Sequence, residues 1–456
     1  MNSRFFLLIL FIAASISCQK ENLTIVDREH IRAGGETTIF KSGPDAFSYP
    51  LANLRTELVT KHFMADANFA AHFVTSPAPV QDGLGPQFNQ TSCESCHIRN
   101  GRSNRPQYAG DVNTGLLLRI SLPGVGEVGQ PLAVPEFGTQ LQTKAIFGQE
   151  AEGTLDISWV EKMITFLDGE SITLNKPEFQ IKNPYIPLPD DLQISPRNAP
   201  AVYGLGLIEA IPERDILQNE DPYDADGDGI SGKANRVWDL QTQTHALGRF
   251  GWKASTPTTI QQTADAFNHD MGITNFLFPR ENCSDQANCN QLTDREFDID
   301  EEFLTTTSFY FETLAVPAAR NQDAPEVIKG KQIFEEARCS SCHLPKHVTG
   351  HHDLEELAYQ TIYPYTDLLL HDMGPDLADN RPDFLADGSE WRTPPLWGIG
   401  LTQIVNPNAT FLHDGRANNL EEAILWHGGE AKSSVEHYLK LSKSDRQSLI
   451  SFLSSL

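Results

Sequence analysis

The sequence predicts a mainly α-helical protein made of two tandem domains of related plan, with loops and short strands inserted into the N-terminal domain. Three observations support this prediction. The pentapeptide Cys-x-x-Cys-His occurs twice, at residues 93–97 and 339–343. Apolar residues with helical spacing precede each copy, over residues 51–73 and around Ile333 and Phe334. Two further sequence landmarks follow each copy in the same order.

The landmarks are weakly similar segments. RNAPAVYGLGLIEAIP at residues 197–212 resembles RTPPLWGIGL at residues 392–401. Further along, GRFGWKASTPTTIQQTADAF at residues 248–267 pairs with TFLHDGRANNLEEAILWHGG at residues 410–429, and each member reads as a tight loop followed by a helix. Because the order is shared, we expect one domain plan to be repeated.

The two pentapeptides predict two covalently bound haem c groups. Two thiols one helical turn apart can each bond a haem vinyl group, and the adjoining His is then placed to ligate the iron. The thioether residues would be Cys93, Cys96, Cys339 and Cys342, with His97 and His343 as axial ligands. Each domain is therefore expected to be cytochrome c-like. A redox dithiol or half of a zinc site is the alternative interpretation of either motif.

Length and charge restrict the possibilities. A chain of 456 residues is too long for one core, so two or three domains are expected. The net charge of -26 argues against nucleic acid or an anionic membrane surface as partner. An acidic face could attract a basic periplasmic electron donor.

The N-terminus reads as an export signal over residues 1–17, because a short apolar stretch follows one arginine and ends in small residues. The segment Ser15-Ile16-Ser17-Cys18 resembles a loose bacterial lipobox, which would make Cys18 a lipid anchor; ordinary cleavage nearby is the alternative. No later segment is apolar enough to cross a bilayer. We expect an exported, periplasm-facing or surface lipoprotein at the outer membrane, held to the membrane by the lipid alone.

Cysteine usage agrees with export. Of the seven cysteines, one is assigned to the lipid and four to haem, which leaves Cys283 and Cys289. In an oxidising compartment these two most simply form a disulfide.

The predicted domain boundaries follow composition. Residues 18–50 are polar and irregular and read as a tether, residues 51–310 as the N-terminal haem domain, and residues 311–456 as the C-terminal one. The linker VPAARNQDAPE lies at the boundary. Alternating apolar and polar residues between 114 and 183, such as LLLRISL, predict the inserted strands.

An acidic loop, DADGDGISGKAN at residues 224–235, resembles a calcium-binding loop. Its possible oxygen ligands are Asp224, Asp226, Asp228 and Ser231, and Gly229 stands where a sharp turn is needed. Asn235 replaces the bidentate Glu of a full EF-hand, so a structural calcium ion is predicted rather than a sensor. A solvated acidic turn is the alternative.

Six motifs together resemble one family. They are GLGPQFNQTSCESCH, RNAPAVYGLGLIEAIP, DADGDGISGK, GRFGWKA, LLLHDMGPDLAD and FLHDGRANNLEEAILWHGGEA. With them the chain resembles, over nearly all of its mature length, the bacterial di-haem oxidoreductases described as peroxidases or thiol oxidoreductases. These are similar to the di-haem cytochrome c peroxidases and the MauG-like enzymes.

The resemblance implies axial ligands for the second haem. In the peroxidase relatives its far-side ligand lies on the helix after a His-x-Gly loop, usually as Met and in MauG-like enzymes as Tyr. His413 opens that loop here, and His427 occupies the matching position. The resemblance therefore favours His343 and His427 as the axial pair, with Met373 as the alternative to His427. A His pair favours a lower potential than His-Met ligation.

The first haem is expected to be open. In classical relatives a second His follows the first motif closely, whereas here the next His after His97 is His245. An iron with one protein ligand could bind peroxide or oxygen. The alternative is a distant sixth ligand: His72, Met163 or His269.

The resemblance also implies catalytic residues. The relatives' Trp followed by Gln maps onto Trp252, as an electron relay between the haems, and onto Gln262. The acidic partner maps poorly, so Asp270 and, more weakly, Glu209 are the candidates. A surface or helix-end role for either carboxylate, and a core role for Trp252, stay open. The relatives' interdomain calcium is in doubt, because Asn408-Ala409-Thr410 stands in place of their Thr-x-Pro.

The predicted function is that of a di-haem oxidoreductase. Electrons from a periplasmic donor would enter at the His343 haem and reach the His97 haem, where peroxide or a similar small oxidant is reduced. Three alternatives remain: an electron-transfer cytochrome, a MauG-like enzyme that oxidises a protein partner, and a thiol-disulfide oxidoreductase with free dithiols.

Overall fold

The fold was described from a computed structural model of the chain. It describes residues 28–106, 108, 110–111, 114–283, 285–286, 289 and 295–456. The predicted signal and lipid site, Cys18, lie outside the described residues.

Ten α-helices, most of them short, occur in these described ranges. They are α1 Thr56–Ala70, α2 Leu205–Glu209, α3 Glu213–Leu217, α4 Thr259–Met271, α5 Glu301–Thr313, α6 Pro325–Glu336, α7 Thr402–Val405, α8 Leu420–Leu425, α9 Lys432–Lys440 and α10 Lys443–Ser455. Their lengths run from 4 to 15 residues. The 32 glycines and 28 prolines of the chain help to keep them short, since both residues are unfavourable inside a helix.

Strands form several small antiparallel sheets. They are β1 Gln87–Phe88, β2 Leu116–Val125, β3 Pro131–Leu132, β4 Lys144–Ala145, β5 Thr154–Thr165, β6 Ser171–Lys182, β7 Gln193–Asn198, β8 Arg236–Asp239, β9 Thr244–Leu247, β10 His347–Val348, β11 Thr361–Ile362, β12 Leu370–Asp372 and β13 Glu390–Arg392. The order β3-β2-β7 makes the one three-stranded sheet in the described part of the chain. The remaining described strands pair as β1-β4, β5-β6, β8-β9, β10-β11 and β12-β13.

The prediction of a mainly α, cytochrome c-like fold is wrong. Helices account for only 28% of the residues that the structure describes, and strands for 20%. The strands predicted between residues 114 and 183 are longer than expected, because the period-two pattern continues through β5 and β6 with twelve residues each. Short strands also occur in the C-terminal half, where the sequence predicted helices and loops.

The β5–β6 hairpin reaches across to the C-terminal half. Its register runs from Thr154 opposite Lys182 to Thr165 opposite Ser171, and Gly169 takes a left-handed φ of 86° in the turn. At this tip, Arg446 of α10 pairs with Asp168 at 2.9 Å and with Glu170 at 2.6 Å. The hairpin tip therefore links the N-terminal and C-terminal halves through ion pairs.

Two of the buried cores contain residues from both sides of the predicted boundary. The first joins Phe47, Leu207 and Tyr310 to Leu369 and Trp397. The segment predicted as a tether contributes to it, since Phe47 is buried. The second core packs residues of the hairpin and of the N-terminal half against the C-terminal helices, namely Phe166, Leu174 and Trp252 against Phe334, Trp426 and Phe452.

Helices α6 and α10 cross closely at Gly330. A Cβ atom at this position would lie 2.0 Å from the carbonyl oxygen of Ser448. The close approach brings Phe334 against Phe452, with ring centroids 5.3 Å apart, directly before the second Cys-x-x-Cys-His motif. Among the residues that the structure describes, no helix has the length and hydrophobicity needed to span a bilayer.

Replacing Gly330 by Ala should force these two helices apart. We expect the free energy of unfolding to fall by about 1–3 kcal/mol, which is the usual cost of overpacking. The higher helix propensity of Ala offsets a small part of this loss. Chemical denaturation followed by circular dichroism measures this change. The matched control, Ile328→Ala on the exposed side of α6, should change it by less than about 1 kcal/mol. Equal effects of the two substitutions would contradict the close crossing.

Candidate haem sites

The first motif forms a single tight turn after β1. The backbone N–H groups of Cys96 and His97 both donate to the carbonyl of Cys93, at 3.1 and 2.9 Å. This turn places the two thiols on one side of the loop. Cys96 is only 6% exposed, and the Cys93 side chain packs at the edge of the first core.

The His97 imidazole is held in one tautomer. Its Nδ1 donates to the carbonyl of Pro200 at 2.7 Å, which leaves the lone pair on Nε2 for a metal. Burial lowers the pKa of His97 to about 4, so the ring is neutral at pH 7. A neutral ring with Nε2 available is the form that ligates iron.

The segment 196–200 orients two further rings in the same way. The carbonyl of Asn198 accepts from Trp252 Nε1 at 2.8 Å, and that of Pro196 accepts from His413 Nδ1 at 3.1 Å. The His413 ring in turn stacks on Trp391, with centroids 3.7 Å apart. This segment of main chain therefore contacts aromatic side chains from both halves.

A cavity of about 700 Å³ lies beside His97. This volume falls within the usual range for ligand and cofactor sites. Three of the residues predicted to be catalytic, Trp252, Gln262 and Asp270, are in its wall. The structure thus brings together residues far apart in sequence around the first motif.

The two candidate carboxylates differ in their surroundings. Asp270 is in the cavity wall, where Gln140 Nε2 donates to it at 2.8 Å, and burial raises its pKa. Glu209 is not among the described residues that line the cavity. Its carboxylate accepts from the N–H and the hydroxyl of Thr259, at 3.1 and 2.6 Å, at the start of α4. Glu209 therefore has a helix-end role.

Trp252 lies between the cavity and the second core. One side of the residue lines the cavity, and it also packs in the core that contains Phe334 and Trp426. The Phe334 ring is itself 6.3 Å from that of His343. The guanidinium of Arg102 lies 5.1 Å from the Trp252 ring, in the range of a cation–π contact.

The possible distant ligands of the first haem occupy different places. His72 is exposed and bonds Thr91 through Nδ1 at 3.0 Å, and Met163 is 73% exposed on β5. Neither is among the described residues lining the cavity, whereas His269 is. Of the three, His269 alone stands where it could meet a molecule bound beside His97.

The cavity wall is strongly cationic for so acidic a protein. Six arginines line it, against three aspartates. Within the described residues, Arg102, Arg249 and Arg392 form no ion pair and donate to backbone carbonyls. Burial lowers the pKa of each guanidinium, to about 10 for Arg102 and Arg392. Buried cations without a carboxylate partner are costly, so the cavity favours an anionic ligand.

The second motif follows α6 through Arg338, which has a left-handed φ of 61°. The N–H of His343 donates to the Cys339 carbonyl at 3.0 Å, as in the first motif. His343 Nδ1 donates to the carbonyl of Tyr365 at 3.1 Å. Burial, and then the neighbouring His427, lower the pKa of His343 to about 4.

His427 follows directly after the α8 segment. Its Nδ1 donates to the carbonyl of Ala423 at 2.7 Å, so Nε2 again keeps its lone pair, and burial lowers its pKa. The His427 ring also lowers the pKa of His343 through its charge. Met373, the competing ligand, is half-buried at the edge of the second core.

The motif cysteines lack the electrostatics of redox dithiols. Burial raises the pKa of Cys93 and Cys339 to about 12, and it raises those of Cys96 and Cys342 as well. A nucleophilic dithiol needs the opposite shift, because the thiolate is the reactive form. The burial of the four thiols therefore disfavours the thiol-disulfide alternative. The other cysteine pair, Cys283 and Cys289, is bonded, with an S–S distance of 2.08 Å.

The acidic loop has a different arrangement from the predicted one. Carboxylate oxygens of Asp224 and Asp226 lie within 4.8 Å of each other and of Asp221, which the sequence analysis missed. Asp228 instead pairs with Arg338, and Ser231 Oγ donates to Glu430 at 2.5 Å. Calcium binding by this loop stays a prediction. Asp221 lies before the alternating acidic residues of the loop, so its place beside Asp224 and Asp226 is visible in the folded structure but not in the sequence pattern.

A buried charged group connects this loop to the second motif. His371 bonds the carboxylate of Asp367 through Nε2 at 2.8 Å and that of Glu430 through Nδ1 at 2.7 Å. The same Nδ1 lies 3.6 Å from Cys342 Sγ. Although burial opposes it, these bonds hold the pKa of His371 well above its ordinary value. His371 is therefore a buried cation between two carboxylates.

Comparison with known proteins gives one match. The profile of the family described as "Di-haem oxidoreductase, putative peroxidase" matches residues 27–456. Neither the curated proteins nor the solved structures contain a match.

Replacing Asp367 by Asn should destabilise the fold by up to about 3 kcal/mol, since it weakens a buried ion pair while Glu430 remains. The pKa of His371 is higher in the folded chain than the value of about 6.5 expected in the unfolded chain. The stability that this difference provides is fully present below pH 6.5 and declines as the pH rises toward the pKa of the folded chain. The loss should therefore be larger at pH 6 than at pH 9. Denaturant unfolding at the two pH values measures it, with exposed Asp190→Asn as the control. A larger loss at pH 9 would show that His371 is not held as the cation.

Proposed function

Because the chain belongs to the di-haem oxidoreductase family, we propose that it carries two covalently bound haems and uses them to reduce peroxide or a similarly small oxidant. The observation that carries this proposal is the cavity of about 700 Å³ beside His97, whose wall includes Trp252, Gln262 and Asp270. Reduction of one peroxide breaks the O–O bond and takes up two electrons and two protons to give two waters.

The residues present fit a covalently attached haem at each motif. Cys93 and Cys96 would hold the first group and Cys339 and Cys342 the second, since each pair lies in one turn with its His directly after it. His97 and His343 each keep Nε2 available through the hydrogen bond at Nδ1. A haem with an open position supplies the redox chemistry of O–O cleavage, and the protein supplies positioning and charge.

The arginines that form no ion pair in the described residues could bind the carboxylate groups of the first haem. Haem carries two propionates, and guanidinium groups bind carboxylates in a bidentate manner. Arg249 and Arg392 flank Gly251, since Arg249 is two residues before it and Arg392 Nε donates to its carbonyl at 2.9 Å. We assign these two arginines to the propionates. Arg102 is distinguished from them by its position over the Trp252 ring, 5.1 Å from the ring centroid.

The second haem would accept electrons from an external donor. His343 and His427 are buried, neutral imidazoles that interact electrostatically, and they would be the two protein ligands of this iron. An iron with two protein ligands transfers electrons and does not bind substrate, and a His pair favours a low potential. Electrons would then pass to the first site by way of Trp252, which contacts the core beside His343 and the cavity beside His97.

We further propose that the protein is an exported lipoprotein with Cys18 as its anchor. The net charge of -26 makes a basic periplasmic protein a suitable electron donor, because opposite charges speed the encounter. The cluster of Asp221, Asp224 and Asp226 would be the calcium site.

Replacing His427 by Ala should convert the second haem from low spin to high spin, because the iron loses its far-side ligand. Covalent attachment should be unaffected, since it depends on Cys339 and Cys342. Optical and electron paramagnetic resonance spectra measure the spin state, and haem staining after denaturing electrophoresis measures attachment. Met373→Leu is the matched control and should leave the spectrum unchanged. If Met373→Leu gives the high-spin haem instead, Met373 is the ligand.

The proposed reaction is tested with the full-length protein, matured in a host that attaches haem. Its spectra are recorded before and after one equivalent of peroxide, in the oxidised and the half-reduced state. One high-spin and one low-spin haem, with a rapid spectral change on peroxide, is the expected result. Two low-spin haems that do not respond to peroxide would make the protein an electron carrier.

A further inference from the structure

An arginine, an aspartate and a histidine form a connected group on the wall of the large cavity. Arg119 of β2 pairs with Asp265 of α4, with 2.8 Å between Nη2 and Oδ2. The other carboxylate oxygen of Asp265 lies 3.0 Å from Nδ1 of His269, one helical turn further along α4. All three residues line the cavity that His97 also lines.

His269 is oriented by this contact. Its Nδ1 faces Asp265, with the carboxylate at 3.0 Å and the main-chain carbonyl at 3.2 Å. The proton therefore resides on Nδ1, and Nε2 carries the lone pair. A carboxylate that fixes the tautomer of an imidazole is the arrangement in which His acts as a base.

The Asp265 carboxylate is ionised. Burial opposes the charge, but Arg119 and then His269 hold its pKa well below its ordinary value. An ionised carboxylate also stabilises the imidazolium that forms when Nε2 takes a proton. Asp270, by contrast, has its pKa raised by burial, and one of its oxygens accepts from Gln140.

His269 also lies where two cavities meet. A second cavity of about 340 Å³ adjoins the first and is more open to solvent. The two cavities share Thr139, Leu240, His269 and Phe278 in their walls. His269 therefore borders both cavities.

We propose that His269 is the acid–base catalyst of the first haem site, with Asp265 as its positioning residue and Arg119 as the group that polarises the O–O bond. This inference rests on the proposed reduction of peroxide. Nε2 takes the proton from one peroxide oxygen and returns it to the other, so the O–O bond breaks and the second oxygen leaves as water. Two electrons from the external donor and two protons from solvent complete the conversion of the peroxide to two waters.

The test compares wild type with His269→Ala, His269→Gln and Asp265→Asn in the haem-loaded, full-length protein. Gln keeps the volume and the hydrogen bond to Asp265 but provides no base. Stopped-flow absorbance measures the reaction with peroxide, and the His269 variants should be slower by roughly 10²- to 10⁴-fold. Asp265→Asn should give a smaller loss. His437→Ala, in α9, is the control with unchanged rates.

Two ligands supply a readout that does not depend on turnover. Hydrogen cyanide must lose a proton to bind the oxidised haem, whereas carbon monoxide binds the reduced haem without proton transfer. We expect the His269 variants to bind cyanide at least about tenfold more slowly, because they lack the base that takes its proton. They should bind carbon monoxide at the wild-type rate. Added imidazole should restore part of the cyanide rate in His269→Ala.

The outcomes separate this inference from the proposed function. Wild-type rates with cyanide and peroxide in the His269 variants would overturn the inference alone. Faster binding of cyanide and peroxide in the His269 variants, with a change of the resting spectrum to high spin, would also overturn the inference, because it would identify His269 as an iron ligand. If the wild-type protein reacts with neither peroxide nor cyanide, the proposed function itself fails.

Discussion

The geometry of the first site depends on the alternate carbonyls of residues 196–200. Pro196, Asn198 and Pro200 accept hydrogen bonds from His413, Trp252 and His97 in turn. Carbonyls two residues apart in an extended segment point the same way, so one short stretch of main chain can orient all three rings. The prolines fix φ at both ends and cannot join a helix. A shift of one residue would turn every acceptor away from its ring.

Charge is distributed unevenly between the surface and the interior. The chain as a whole has a net charge of -26, yet the wall of its large cavity carries twice as many arginines as aspartates. Interactions between charges are stronger away from water, so a few buried guanidinium groups outweigh many solvated carboxylates within the cavity. The cavity thus favours an anionic ligand, although the chain as a whole is strongly acidic.

The sequence predicts the short-range features better than the long-range ones. Two Cys-x-x-Cys-His motifs can be read directly, and Trp252, Gln262 and Asp270 were placed near the first motif by resemblance; the structure puts all three in the cavity wall. The mainly α prediction failed because the alternating pattern of β5 and β6 was underestimated. The contacts of Asp265 with Arg119, and of Asp221 with Asp226, escaped notice. Such pairs depend on how separate segments fold together, which a single sequence does not display.

The depth of the thiols has a consequence for biogenesis. Cys96 is almost completely buried, and burial keeps its sulfur in the protonated, unreactive form. A folded chain would therefore be a poor acceptor for haem. Under the proposed covalent attachment, thioether formation would have to precede the folding that buries Cys96, so the attachment machinery would act on an open chain and would set when folding can finish.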